Sequence, residues 1–326
     1  MTVAQQAAPA AGLDRVGEAQ APAPGPARTP RRRIQLGPAL LLLPSVALLA
    51  VIIGWPLIQL FVMSFQEYGR AQVFGAPPEF VGFQNYADIL SDQNFWAVLG
   101  RSVVFCIVNV VLTIVLGTSI ALLMQRLGRG LRILVSVGLL FAWAMPALSA
   151  TIVWGWLFDT QYGVINYVLS QLPGVDLIGH SWLANPVSFM AVATVIVTWG
   201  AIPFVAFTIF AGLTQVPDEV LEAAQLDGTT GFQRFRMITA PYIRSVFLVV
   251  IILSVIWDMR VFTQIYALQK IGGRANETST VGVYIYSEAL GGGNYGTAGA
   301  IAVILVLLLM GVAYAYIRNS LKEEEK

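Results

Sequence analysis

The chain has 326 residues, of which 57% are hydrophobic and 11% charged, and its mean hydropathy is +0.72. So apolar a balance exceeds what one water-soluble core buries, and it implies an integral membrane protein. A net charge of +1 gives no basic excess for a nucleic-acid partner, while one cysteine (Cys106) and one histidine (His180) exclude an internal disulfide, a thiolate metal cluster and a histidine metal site.

The chain opens on stretches such as "AQQAAPAAG", rich in Ala, Pro and Gln. These have too little apolar surface to offset chain entropy, so residues 1–35 are expected to form a disordered cytoplasmic tail. The next run, "RRRIQLGPALLLLPSVALLA", is too long for a signal-peptide core and leads directly into more apolar sequence, so it reads as a span and not a cleaved leader. A spanning helix needs about 20 mostly apolar residues. Six segments qualify: Leu36 to Phe65, Trp96 to Met124, Leu131 to Phe158, Val187 to Leu213, Ser245 to Leu268 and Thr297 to Ile317. The fifth is interrupted by Asp258 and Arg260, and losing it would leave five spans with the termini on opposite sides.

Lysine and arginine placement tests this topology independently of hydropathy. Arg31, Arg32 and Arg33 precede the first span; Arg126, Arg129 and Arg132 separate the second and third. Arg234, Arg236 and Arg244 separate the fourth and fifth, and Arg318, Lys322 and Lys326 follow the sixth. With six spans all four clusters share one side, which is therefore cytoplasmic and holds both termini, including a short tail over 319–326. The opposite loops are poorer in cations and carry Phe80, Phe83, Tyr86, Tyr162, Tyr167 and Trp182, which read as interfacial anchors facing membrane lipid. The all-α membrane domain accordingly occupies 36–318.

The longest internal cytoplasmic stretch is Thr214 to Ile243, "TQVPDEVLEAAQLDGTTGFQRFRMITAPYI". It reads as two short helices. Pro217 suits a first helical position, and Asp218 and Glu219 complement the dipole of the first turn. Gly228 stops that helix and Thr229 or Thr230 caps the next. Phe232, Phe235 and Ile238 then recur at three-residue spacing until Pro241 ends the run. An apolar face outside the bilayer needs cover, either from this chain's own helix ends or from a cytoplasmic partner.

Charge at bilayer depth is expensive and marks a pathway or an internal pair. Asp258 and Arg260 in "SVIWDMRVF" point about 200° apart on a helix, so each needs its own partner. Ser254 lies one turn before Asp258 on the same face, and Trp257 is adjacent. Either Asp258 lines a pathway or it bonds to a helix break.

The "EAA" of Glu222, Ala223 and Ala224, followed by Asp227-Gly228, Phe235, Ile238 and Pro241, resembles the coupling-loop signature of permease subunits of ATP-binding-cassette (ABC) importers. Its lead-in is similar to the maltose-type carbohydrate branch. "FVGFQNYADIL", "YGVINYVL" and "TWGAIPF" resemble that branch in the same order, so the likeness runs from Leu36 to the C-terminus. The resemblance implies a type I ABC importer permease fold with six transmembrane helices in a bacterial plasma membrane. It implies ATPase coupling through Glu222, Ala223, Ala224, Asp227, Gly228, Phe232, Phe235 and Pro241. Matching the motifs implies a substrate pathway past Trp143 and Ala147 of "AWAMPAL", Gly200 and Phe204 of "TWGAIPF", then Ser254, Trp257 and Asp258.

The implied partners are a second permease subunit, an ABC ATPase dimer and an extracellular sugar-binding protein. No cofactor is expected on this chain itself. Its three lysines, Lys270, Lys322 and Lys326, follow no glycine-rich phosphate loop, so ATP is expected on the partner and the chain is not itself an enzyme. Gln264 and Arg274 depart from the family pattern after the fifth span; "WDMRVFTQIY" looks closest to permeases for amino-sugar oligosaccharides such as chitobiose. Two other classes make distinct demands. An ion-coupled secondary transporter would favour two related halves, and no internal repeat is visible. A membrane enzyme needs a catalytic constellation, which one histidine and one cysteine do not supply.

Overall fold

The computed structural model describes residues 36–324, so the tail expected over 1–35 lies outside the described residues, as do the last two positions. The chain divides into two compact units, Met1–Ile52 and Ile53–Lys326. The described part of the first is helix α1 (Leu36–Leu49), with Pro44 inside it, leading into a π-helical turn over Ala50–Gly54. From Leu40 to Ile52 its side chains are exposed. In lipid this is no penalty, because lipid tails solvate leucine as well as another leucine does.

The second unit opens with α2 (Trp55–Met63) and a small antiparallel hairpin, β1 (Gln66–Glu67) with β2 (Glu79–Phe80), enclosing α3 (Arg70–Val73). Helices α4 (Gln84–Ser91), α5 (Gln93–Arg126), α6 (Arg129–Ala144), α7 (Ala147–Leu157), α8 (Val164–Leu169) and α9 (Pro186–Leu213) follow. The 214–243 segment holds α10 (Asp218–Leu226), α11 (Gly231–Arg234) and α12 (Ala240–Tyr242). The chain then runs through α13 (Arg244–Met259), α14 (Thr263–Ile271), α15 (Ala275–Thr278), α16 (Val281–Tyr286) and α17 (Tyr295–Glu324).

Five stretches among the described residues are long and apolar enough to cross a bilayer: Leu40–Met63, Gln93–Arg126, Pro186–Leu213, Arg244–Ile271 and Tyr295–Tyr316. The remaining predicted span, Leu131 to Phe158, is not one helix, because α6 and α7 meet at 101°. Proline has no N–H and disfavours helical backbone in the residue before it; Met145 accordingly turns extended, at ψ 125°. The broken pair still crosses. Asn109 bonds to Thr198 and Gly117 approaches Val205, so residue numbers climb together along α5 and α9 and these helices run parallel. A chain that leaves α5 at one end and enters α9 at the other must traverse the same thickness between them.

Two further boundaries differ from expectation. The fifth span breaks at Arg260–Phe262, where α13 gives way to α14. The last helix continues to Glu324, so the short tail expected after the sixth span is helical over 319–324.

The α5–α9 seam is the core of this unit. Within lipid, helices associate through close packing and hydrogen bonds, and both occur here. A Cβ at Gly117 would lie 2.6 Å from Val205 Cγ1, so only glycine admits that approach. Nearby, Asn109 Nδ2 donates to the Phe105 carbonyl at 2.7 Å, and Asn109 Oδ1 accepts from Thr198 Oγ1 at 3.2 Å. Helix α13 returns antiparallel along α9, with Val246 against Gly212 and Trp257 against Phe204.

Candidate functional site

The breaks in α6/α7 and α13/α14 come together against the middle of α9, around a cavity of about 390 Å³. Non-helical backbone at membrane depth survives only where it lines such a space or is buried in protein. Six of the seven predicted pathway residues are in the lining: Trp143, Ala147, Gly200, Phe204, Trp257 and Asp258. The seventh, Ser254, is buried one turn before Asp258 and is not among the residues that line this cavity.

Asp258 is 6% exposed, and among the described residues its carboxylate makes no hydrogen bond or ion pair. The helix break is closed instead by backbone, with Val261 N–H reaching the Asp258 carbonyl at 3.4 Å. The Asp258 side chain is part of the cavity lining. Arg260, also in the lining, is exposed while Asp258 is buried, consistent with their pointing apart. Trp257 meets Phe204 edge to face, centroids 4.9 Å apart at 61°. Helices α7 and α14 both begin at this cavity, with Ala147 and Thr263 in its lining. Aromatic rings and a carboxylate thus converge on a space of ligand size.

Sequence reasoning did not assign Trp199, Phe262, Thr263 or Gln264 to the cavity, and they line it. The available signal was the Asp258/Arg260 interruption. A break there turns the residues on either side of it towards the same void.

Beyond the end of α9 lies the predicted coupling segment. Pro217 is extended, at ψ 139°, and precedes α10 instead of opening it. Asp227 ends the helix and Gly228 takes φ +74°, the left-handed conformation in which glycine meets no Cβ penalty. Thr230 and Gln233 form a reciprocal capping box at α11. The chain then passes through a π-helical turn (Phe235–Thr239) into α12, so Pro241 sits inside a helical run and does not end one.

The three-residue apolar stripe divides accordingly. Phe232 is 72% exposed, whereas Phe235 is half-buried against Phe247 and Ile238 is half-buried. Glu222, Ala223, Asp227 and Pro241 are exposed and Ala224 is buried. Leu226, which the sequence reading passed over, is the most exposed apolar side chain of the segment at 90%. At the far end, Tyr86 and Trp182 are structural more than interfacial. The Tyr86 phenol pairs with Ser64 Oγ at 2.6 Å and the Trp182 indole donates to Asn166 Oδ1.

Comparison with known proteins gives a consistent result. The family profile described as "Binding-protein-dependent transport system inner membrane component" matches residues 113–323. The diacetylchitobiose uptake system permease protein DasB of Streptomyces coelicolor is 41% identical over 299 residues, covering 92% of this chain and 91% of that protein. The trehalose/maltose transport system permease protein MalF of Thermococcus litoralis is 31% identical, covering 88% of this chain and 94% of that protein. Among solved structures, a chain of a bacterial ABC transporter for import of the acidic polysaccharide alginate superimposes with a TM-score of 0.71. The two are 19% identical, covering 86% of this chain and 94% of that one, so this likeness speaks to the fold.

Proposed function

The chain belongs to the family of binding-protein-dependent transport system inner membrane components, and from that premise we propose that it is one of two permease subunits of an ATP-driven sugar importer. The likeness to sugar permeases over nearly the whole chain carries this reading. The 214–243 end, which holds Arg126, Arg129, Arg234 and Arg236, faces the cytoplasm under the positive-inside rule, and both termini lie on that side. A second permease completes the pore, and an extracellular binding protein delivers the sugar.

ATP is hydrolysed on a partner ATPase. Helix α10 offers it Glu222, Ala223 and Asp227 beside the exposed Leu226, and Phe232 follows on α11. The Gly228 turn and the capping box fix the angle between α10 and α11, so a pull on this segment is passed to α9 and α13 as a unit. In the cavity, the CH face of a sugar stacks on Trp143, Trp257 or Phe204 while a hydroxyl donates to the Asp258 carboxylate. Asp258, buried in the cavity wall, is the acceptor assigned to that hydroxyl. An amino-sugar oligosaccharide such as diacetylchitobiose is the substrate class to try first.

ATP-dependent uptake in vesicles holding the complete transporter tests this reading. Glu222→Lys reverses the docking charge; truncating one side of such a pair costs roughly 2–5 kcal/mol, so uptake should fall by at least about tenfold with the membrane subunit still inserted. Unchanged uptake, or uptake that runs on an ion gradient without ATP, overturns the importer reading.

A further inference from the structure

At the end assigned to the outside, a second cavity of about 800 Å³ opens between α14, α15, α16 and the π-helical turn Ser287–Gly292. Its lining includes the rings of Tyr266 and Tyr286, the amides Gln269 and Asn276, and one charge of each sign, Lys270 and Glu288. Tyr266 and Tyr286 meet edge to face with centroids 5.0 Å apart. Phe262 stacks on Tyr266 at 5.2 Å and 16°, and lies 5.0 Å from Tyr286. Phe262 belongs to the lining of the inner cavity, and the two tyrosines belong to the outer one. One cluster of three rings is therefore the partition between the two spaces.

The outer cavity is braced. Gly293 ends the π-helical turn with φ +76°, and Arg70 Nη2 donates to the Gly291 carbonyl at 2.8 Å, tying the lip to the first loop. The polar groups are positioned as well. Gln269 Nε2 is held by Thr278 Oγ1 at 3.0 Å and Ser279 Oγ at 3.2 Å, which leaves its carbonyl oxygen to accept. The Lys270 ammonium sits 5.1 Å from the Tyr266 centroid, fixing that ring at the cavity wall.

We propose that this outer cavity is a carbohydrate subsite, which receives the sugar first and passes it across the Phe262/Tyr266/Tyr286 partition to the inner cavity. The chemistry selects the ligand class. Rings offer a face to sugar CH groups, amides bond to hydroxyls, and a neutral polyol satisfies both Lys270 as donor and Glu288 as acceptor, whereas an ion is opposed by one of them. The volume falls in the range of about 300–1,000 Å³ that small-ligand cavities span. This proposal rests on the sugar-importer reading, and its test keeps the two apart.

The reconstituted complex with its binding protein is supplied with diacetylchitobiose, trehalose or maltose, and sugar moved per ATP hydrolysed is measured. That ratio is the readout, because loss of folded transporter lowers uptake and hydrolysis together. Tyr286→Ala should lower the ratio about fivefold, the weight of one aromatic contact. Tyr286→Trp, which restores a ring, should return it to within about twofold of wild type on the same scale. Asn276→Ala changes an exposed side chain on α15 and should lower the ratio about threefold, the worth of one hydrogen bond. The subsite is overturned if both alanine variants match wild type, if Trp at 286 fails to rescue, or if the loss is in stimulation by the binding protein with the ratio unchanged. If the wild-type complex moves none of the three sugars with ATP, the importer reading itself falls and takes the subsite with it.

Discussion

Asp258 is buried on α13, and among the described residues its carboxylate makes no hydrogen bond or ion pair. Leaving a polar group so placed costs about 1–3 kcal/mol, and stability alone would select leucine. We therefore expect Asp258→Leu to raise the melting temperature of the purified protein while abolishing uptake, with Asp258→Asn intermediate in both. A drop in stability for the leucine variant would make the carboxylate a structural partner instead.

A second acid behaves oppositely. Asp159, exposed at the far end, accepts from the backbone N–H groups of Tyr162 and Gln161, each at 2.8 Å, which hold its carboxyl below the usual range. Since the folded pKa is depressed, the turn is supported fully above the unfolded value of about 3.9 and loses that support as pH falls through the folded one. Amide exchange at Gln161 and Tyr162 should thus be slower than the intrinsic rate above that range and approach it only at acid pH, and Asp159→Asn should remove the pH dependence. At this scale the sequence was most legible for charge. Asp258 stood out in an apolar run, whereas Phe262 and Thr263 look like ordinary span residues until the helix breaks beside them.

Among the elements, lengths were legible and bends were not. The chain carries proline inside α1 (Pro44), inside α9 (Pro203) and at the α6/α7 junction (Pro146), yet of these junctions only the last is the site of a 101° turn. Hydropathy sees three similar apolar runs. What differs is the tertiary setting: Pro203 is buried in the continuous α9 helix, whereas Pro146 stands where backbone lines a cavity. The Gly228 stop and a threonine cap at Thr229 or Thr230, by contrast, are local chemistry and were readable directly, whereas the choice of Thr230 and its reciprocal Gln233 came with the structure.

The α5–α9 seam gives an element-scale prediction. At Gly117 a new Cβ would meet Val205 Cγ1 at 2.6 Å and Val205 Cβ at 2.8 Å, so Gly117→Ala should cost about 1–3 kcal/mol through overpacking. Adding Val205→Ala, which removes the nearer atom, should recover part of the loss in a thermal-melt cycle. Strict additivity of the two changes would mean that the helices do not touch there.

Across the membrane domain, the two cavities and the 214–243 segment follow one another from one end of the bundle to the other, and this order has meaning only in one orientation. A sugar arriving at Tyr286 and an ATPase grasping Leu226 must be on opposite sides. Arginine placement argues for that arrangement from electrostatics, and thiol accessibility tests it from chemistry. Cys106 is buried, with its thiol 3.8 Å from the Val255 carbonyl, so Cys106→Ala gives a background of small change. On it, cysteine is introduced at Leu226, 90% exposed, or at Tyr162, 77% exposed. A membrane-impermeant maleimide should label the Tyr162→Cys protein in intact cells and the Leu226→Cys protein only after permeabilisation. The reverse pattern would point α10 away from the compartment that holds ATP, and the docking role of Glu222 would fail with it.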